Sequence, residues 1–206
     1  MKRLTIIFAV LFLAVTLAAC TSQPKIASEI VQAAEGHTVY NGSGFAFSYD
    51  PAAWSDMAAS LEGVGDAAAE LGVDISDEQV MEMNDGVFVY TADPAVNFNI
   101  IVNDGGHNGK KIDYEAVAQQ MESQYGTVQG MDYLGYELVE INGYTYIKIN
   151  LKLSSAVFGV GMTMAQYAFF TDDKNYVITF TAADGSYDNA AADFEKVLAT
   201  FVFDEK

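Results

Sequence analysis

An apolar run from Leu4 to Leu17 follows Lys2-Arg3 and closes on Leu17-Ala18-Ala19-Cys20, the single cysteine of this 206-residue chain. The run is shorter than the about 20 residues that span a bilayer. Its basic start and small-residue end are those of a secretory leader. Leu17-Ala18-Ala19-Cys20 reads as a lipobox, so cleavage before Cys20 would leave that residue as the acylated N-terminus. An ordinary leader with a chance cysteine is the alternative, and it would release the protein. In either case no disulfide can form within the chain, so whatever folds must be held by core packing alone.

The chain therefore divides into a leader (1–19), a lipidated tether (20–38) and one domain (39–206), a length that suits one domain better than two. Loss of Lys2 and Arg3 with the leader leaves 28 acidic residues against 8 lysines, a net charge of −20 with no arginine. Such a surface lacks the cationic footprint of nucleic-acid binders, which excludes nucleic acid as a partner. It is also repelled by anionic headgroups, so membrane contact is expected through the acyl anchor. The expected location is the extracytoplasmic face of the cell membrane. The charge itself serves solubility, or attracts a cationic partner or divalent cations.

Within the tether, Ile26 to Ala34 could form a short helix. Phe45-Ala46-Phe47-Ser48-Tyr49 alternates large and small residues after the turn-like Asn41–Gly44 and reads as the first strand. Asp50-Pro51 has the form of a helix start, leading into Met57, Leu61, Val64, Ala68 and Leu71 at helical spacing. Ser76-Asp77-Glu78-Gln79 resembles a second start, ended by Gly86. Val87–Tyr90 and Asn97–Val102 read as strands around an Asp93-Pro94 turn. Tyr114, Val117, Ala118, Met121 and Tyr125 then mark one helical face.

Asn142-Gly143 is a type I′ hairpin signal between two alternating runs. A two-residue loop sets Ile141 opposite Tyr144, Leu138 opposite Ile147, Tyr136 opposite Ile149 and Leu134 opposite Leu151. The face carrying these pairs is expected to be core, and Glu137 with Lys148 forms an opposite-charge pair on the other. Met162–Phe170 and Tyr176–Thr181 make a further hairpin, and a closing helix spans Tyr187 to Thr200. Helices covering a mainly antiparallel sheet give an α+β domain.

The opening Gly44-Phe45-Ala46-Phe47-Ser48-Tyr49-Asp50-Pro51 with Trp54, the run Tyr176-Val177-Ile178-Thr179-Phe180-Thr181-Ala182, and the final Phe194 and Phe201-Val202-Phe203 resemble the PsbP-like family, including its DcrB-type bacterial lipoproteins. The resemblance covers most of residues 40–203 and implies an α/β/α sandwich. Residues 52–84 add a helical stretch to that pattern. The family is mostly non-enzymatic, so the resemblance implies a binding or accessory role.

Chemistry-bearing residues are sparse. His37 and His107 are the only histidines, and zinc sites draw mostly on several His and Cys ligands. No Gly-x-Ser-x-Gly elbow accompanies them. Asp104-Gly105-Gly106-His107-Asn108-Gly109 with Glu115 matches four positions of a calcium loop, while Gly106 and Lys111 break the pattern. Glu62, Asp66 and Glu70 share a helical face, read as solvated. Gly63-Val64-Gly65-Asp66-Ala67-Ala68 has the string of a dinucleotide fingerprint inside a helical period, where no phosphate turn can form. No catalytic, cofactor or metal residue is expected, which leaves Cys20 as the one functional assignment. The expected role is a lipid-anchored accessory or binding protein with a protein partner and no catalytic activity. A small-ligand or divalent-cation lipoprotein is the alternative, and an unrecognised enzyme a lesser one.

Overall fold

Asn142 and Gly143 both adopt positive φ, 53° and 82°, as a type I′ turn requires. The strands on either side, 11 and 10 residues long, are among the longest in the molecule's described part. The computed structural model describes residues 31–56, 84–93, 95–159 and 161–204; the leader, Cys20 and the stretch 57–83 lie outside them. Chain order runs β1 (Thr38–Asn41), β2 (Phe45–Tyr49), β3 (Trp54–Asp56), β4 (Gly86–Tyr90) and β5 (Asn97–Asp104). Then come α1 (Tyr114–Tyr125), β6 (Met131–Ile141), β7 (Tyr144–Leu153) and the single helical turn α2 (Ser155–Phe158). β8 (Met162–Phe170), β9 (Lys174–Ala183), α3 (Tyr187–Leu198) and β10 (Val202–Phe203) complete the series.

Seven strands form one antiparallel sheet in the order β3-β4-β5-β9-β8-β7-β6, and β1-β2-β10 form a second. The two faces of the large sheet bury different cores. On one, Ile147, Ile149, Leu151, Met162 and Met164 pack with Ala118 and Tyr125 of α1. On the other, Phe98, Tyr146, Tyr167, Ile178 and Phe180 meet β2 and the Phe194 face of α3. Phe47 of the small sheet meets Phe88 of β4 edge-on at 5.1 Å, and Phe180 of β9 stacks on Phe194 of α3 at 4.7 Å. Aromatic contacts of this kind add to the area they bury, and they join the small sheet and α3 to the large sheet without any disulfide. The result is a mainly antiparallel α+β fold, as expected.

Several local expectations fail for physical reasons. Phe45–Tyr49 is the second strand, because Thr38–Asn41 pairs antiparallel with it. Asp50-Pro51 does not start a helix. The Asp50 carboxylate does accept from Ala52 N–H at 2.8 Å, but the chain makes one turn and enters β3. There Trp54 is buried against Tyr90 and Phe98, with ring centroids 5.0 and 4.9 Å away. Burial of the indole outweighs a local cap worth about 1 kcal/mol. Val31–Ala34 is not helical, and the helices read over Met57–Leu71 and from Ser76 lie outside the described residues.

The hairpin register holds from Ile141/Tyr144 through Tyr136/Ile149, and then shifts. Tyr133, not Leu134, stands opposite Leu151, and Gly135 pairs with Asn150. Gly135, at φ 110°, supplies the backbone freedom for this bulge. The face assignment is also corrected. Ile141 and Tyr144 point to the α3 side, opposite Leu138 and Ile147. Ile147 is fully buried, but Leu138 is 51 % exposed, so the β6 half of that face is not core.

Candidate functional site

Among the described residues the exposed large apolar side chains are Leu134, Tyr136 and Leu138, and all three belong to β6. β6 is an edge of the large sheet, so among the described residues one side of its backbone has no strand beside it. Long apolar edge strands invite pairing with another chain and are normally blunted. The bulge at Leu134 blunts one end of this one. From Tyr136 to Ile141 the strand pairs regularly with β7.

Alternation gives this stretch two unlike rows. Tyr136, Leu138 and Glu140 lie on the α1 side; Glu137, Val139 and Ile141 lie on the α3 side. Beside the second row a groove of about 300 Å³ opens between β6, β7, β8 and α3, lined by Val139, Ile141, Lys148, Tyr167 and Glu195. Lys148 of the lining pairs with Glu137 at 2.7 Å, as the sequence register predicts. The Lys148 ammonium also stands 6.0 Å from the centre of the Tyr167 ring, a cation–π approach. Burial, with Tyr187, Glu195 and Glu137 adding to it, pushes the Tyr167 hydroxyl above its ordinary value, so it stays protonated.

The residues singled out for chemistry do not converge. His107 Nδ1 lies 3.0 Å from Asp172 Oδ1, at the β8–β9 turn. His37 Nδ1 lies 3.3 Å from Ser48 Oγ. Ser48 is buried within β2, and its N–H donates to Thr200 Oγ1, which leaves that hydroxyl no sharp exposed turn. The calcium-like loop is committed elsewhere. Asp104 pairs with Lys174 in the ladder, Gly105 and His107 N–H donate to Asp173 and Thr171 carbonyls, and Gly109 N–H donates to Asp172. Glu115 sits in the first turn of α1 beside Gln119. Among the described residues no three His, Cys, Asp or Glu side chains gather as metal ligands. Glu62, Asp66, Glu70 and the Gly63–Ala68 string lie outside the described residues, as does Cys20.

A buried polar row on the α1 face escaped the sequence reading. Asn97 stands opposite Thr181, and Asn99 opposite Thr179. Gln166 donates to Thr179 at 3.2 Å and accepts from the Tyr125 hydroxyl of α1. Its signal was the Asn-x-Asn and Thr-x-Thr alternation of β5 and β9, polar where an outer face would also be polar. The Tyr125–Gln166–Thr179 chain of hydrogen bonds ties α1 to the sheet, whereas both side-chain amide atoms of Asn97, Asn99 Oδ1 and Thr181 Oγ1 are buried without a hydrogen-bond partner among the described residues, at about 1–3 kcal/mol for each unpaired group.

The sequence matches no protein-family model and no curated protein. Solved structures do resemble the fold. Cyanobacterial PsbP from Synechocystis aligns at a TM-score of 0.52 with 13 % identity, over 91 % of this chain and 99 % of its own. A Bacteroides thetaiotaomicron protein aligns at 0.50 with 15 % identity over 83 % of this chain, which spans about half (49 %) of that protein. The Ran-binding protein Mog1p of Saccharomyces cerevisiae aligns at 0.47 with 9 % identity, over 79 % of this chain and 92 % of its own. The fold is PsbP-like.

Proposed function

We propose that this chain is a lipid-anchored binding or accessory protein of the extracytoplasmic membrane face, without catalytic activity, that engages a protein partner through the β6 edge. The layering of α1 on one side of the sheet and α3 on the other suits the α/β/α sandwich of PsbP-like proteins, and the lipobox suits the DcrB-type lipoproteins among them. The observation that carries the reading is the confinement of exposed large apolar side chains, among the described residues, to one edge strand. A contiguous apolar patch on a highly charged protein is costly to leave in water and marks an interaction site. The anchor accounts for how a chain of net charge −20 stays at a surface that repels it.

Two measurements test this. Cys20→Ala should release the protein from membranes or leave an unprocessed precursor; unchanged fractionation and migration would end the lipoprotein reading. A photo-crosslinking residue at position 136 in intact cells should give a discrete adduct, absent from position 110 on an exposed loop and lost when Leu138→Ser is added. Equal adducts from both positions would end the β6 reading. A small-ligand role draws on the groove beside Val139 and Ile141, whose volume lies at the lower end for ligand sites.

A further inference from the structure

Each row of the open edge holds two apolar residues and one carboxylate: Tyr136, Leu138 and Glu140 on the α1 side, Val139, Ile141 and Glu137 on the α3 side. We infer that the stretch Tyr136–Ile141 takes up an extended segment of a partner protein as an added strand, and that this segment carries lysine or arginine opposite Glu137 and Glu140. The inference rests on the reading of β6 as the binding edge and names its occupant.

The backbone supplies the pairing. Among the described residues, no N–H or C=O of residues 132–141 bonds outside β7. Added-strand recognition takes affinity from those main-chain groups and specificity from alternate side chains. The bulge at Leu134 ends the regular edge, so the added strand would run along the stretch from Tyr136 to Ile141.

Charge decides between occupants. The chain carries a formal net charge of −18 before processing. Glu140 is exposed, and Glu137 keeps 52 % of its side chain in solvent beside Lys148. Glu195, also exposed, stands on the α3 wall of the groove, within reach of a long cationic side chain arriving next to Val139. A second copy carries the same two carboxylates along its own edge and the same net negative charge, so its approach to this edge is opposed electrostatically. Anionic lipid is disfavoured by the same carboxylates. A cationic amphipathic strand satisfies both rows.

The probe is a capped peptide with the core Val-Lys-Val-Val-Lys-Val, which places lysine opposite both carboxylates in either strand direction. Its control replaces both lysines with glutamate. Titration of the detergent-solubilised protein by NMR should give shifts confined to residues 136–141 and their β7 partners, with slowed exchange of outward β6 amides. The glutamate peptide should give neither. Glu140→Lys, at an exposed position with no ion pair among the described residues, should weaken lysine-peptide binding about tenfold or more while thermal stability is kept. Equal binding of the two peptides, shifts centred elsewhere, or unchanged affinity in Glu140→Lys would overturn the inference. So would slowed β6 exchange in the protein alone at rising concentration, which identifies a second copy, or peptide-independent binding to phosphatidylglycerol vesicles. If the peptide fails while the crosslink at 136 persists and depends on Leu138, the binding edge stands and its cationic occupant does not.

Discussion

Leu138 and Ile147 are direct cross-strand partners on one face of the sheet, yet one is 51 % exposed and the other fully buried. Alanine at each position therefore measures whether that face is open at β6. Ile147→Ala empties a site packed between β7 and α1, a change that costs about 2–5 kcal/mol in closed cores. With a midpoint of about 3 kcal/mol, a domain of this size should lose about 6–12 °C in Tm. Complete burial of a leucine side chain is worth about 1.5–3 kcal/mol. Leu138 keeps half its surface in water and leaves no closed cavity, so Leu138→Ala should cost about 1 kcal/mol or less, a fall of about 2–4 °C. Thermal and urea unfolding of both variants, followed by circular dichroism, gives the comparison. Equal losses would mean that Leu138 is covered in solution, and the argument for an open edge would collapse.

Gly143→Ala should destabilise the hairpin by about 1–2 kcal/mol, since φ 82° sets a Cβ against the following carbonyl; an unchanged urea midpoint would refute the turn assignment. Asp85 accepts the Ser43 N–H and is held above the ordinary carboxylate value mainly by burial, an effect that Ser43 and Lys174 oppose. From pH 3.8 up to that raised value the folded chain keeps a proton the unfolded chain has released, so this group lowers stability as pH rises through the window. Asp85→Asn should gain on the parent across the same interval, and a stability difference that stays constant with pH would contradict this. Calcium and magnesium at about 1 mM and matched ionic strength should shift Tm equally, because the groups of the 104–115 loop are engaged in backbone and ladder contacts; a calcium-specific rise lost in Glu115→Gln would restore the loop as a site.

What was legible in the sequence was local and periodic. Asn142-Gly143 fixed the turn and most of the β6–β7 register, because a I′ turn leaves no slack in pairing. The spacing from Tyr114 to Tyr125 located α1, whose Ala118 and Tyr125 are buried as expected. The failures arose where distant contacts overruled a neighbourhood signal. Asp50 caps its turn, but Trp54 had a sheet to join. β10 is two residues long and exists only because β2 stands beside it. The exposure of Leu134, Tyr136 and Leu138 was least accessible of all. Alternation identifies which residues share a face, but not whether anything in the same chain covers that face.

The small sheet has a consequence for the order in which the chain acquires its structure. β2 is paired on one side by β1, almost adjacent in sequence, and on the other by β10. The Ser48–Thr200 bond beside it spans 152 residues. Closing a loop of that length costs entropy before any contact compensates it, and such topologies fold slowly. A nascent chain lacking Phe201 to Phe203 leaves one edge of β2 unpaired and Phe47 without its stacking partner. During vectorial synthesis or translocation, Phe45 and Phe47 would thus wait in an aggregation-prone state until the last strand emerges, a vulnerability that a holding chaperone, rather than faster local folding, would relieve.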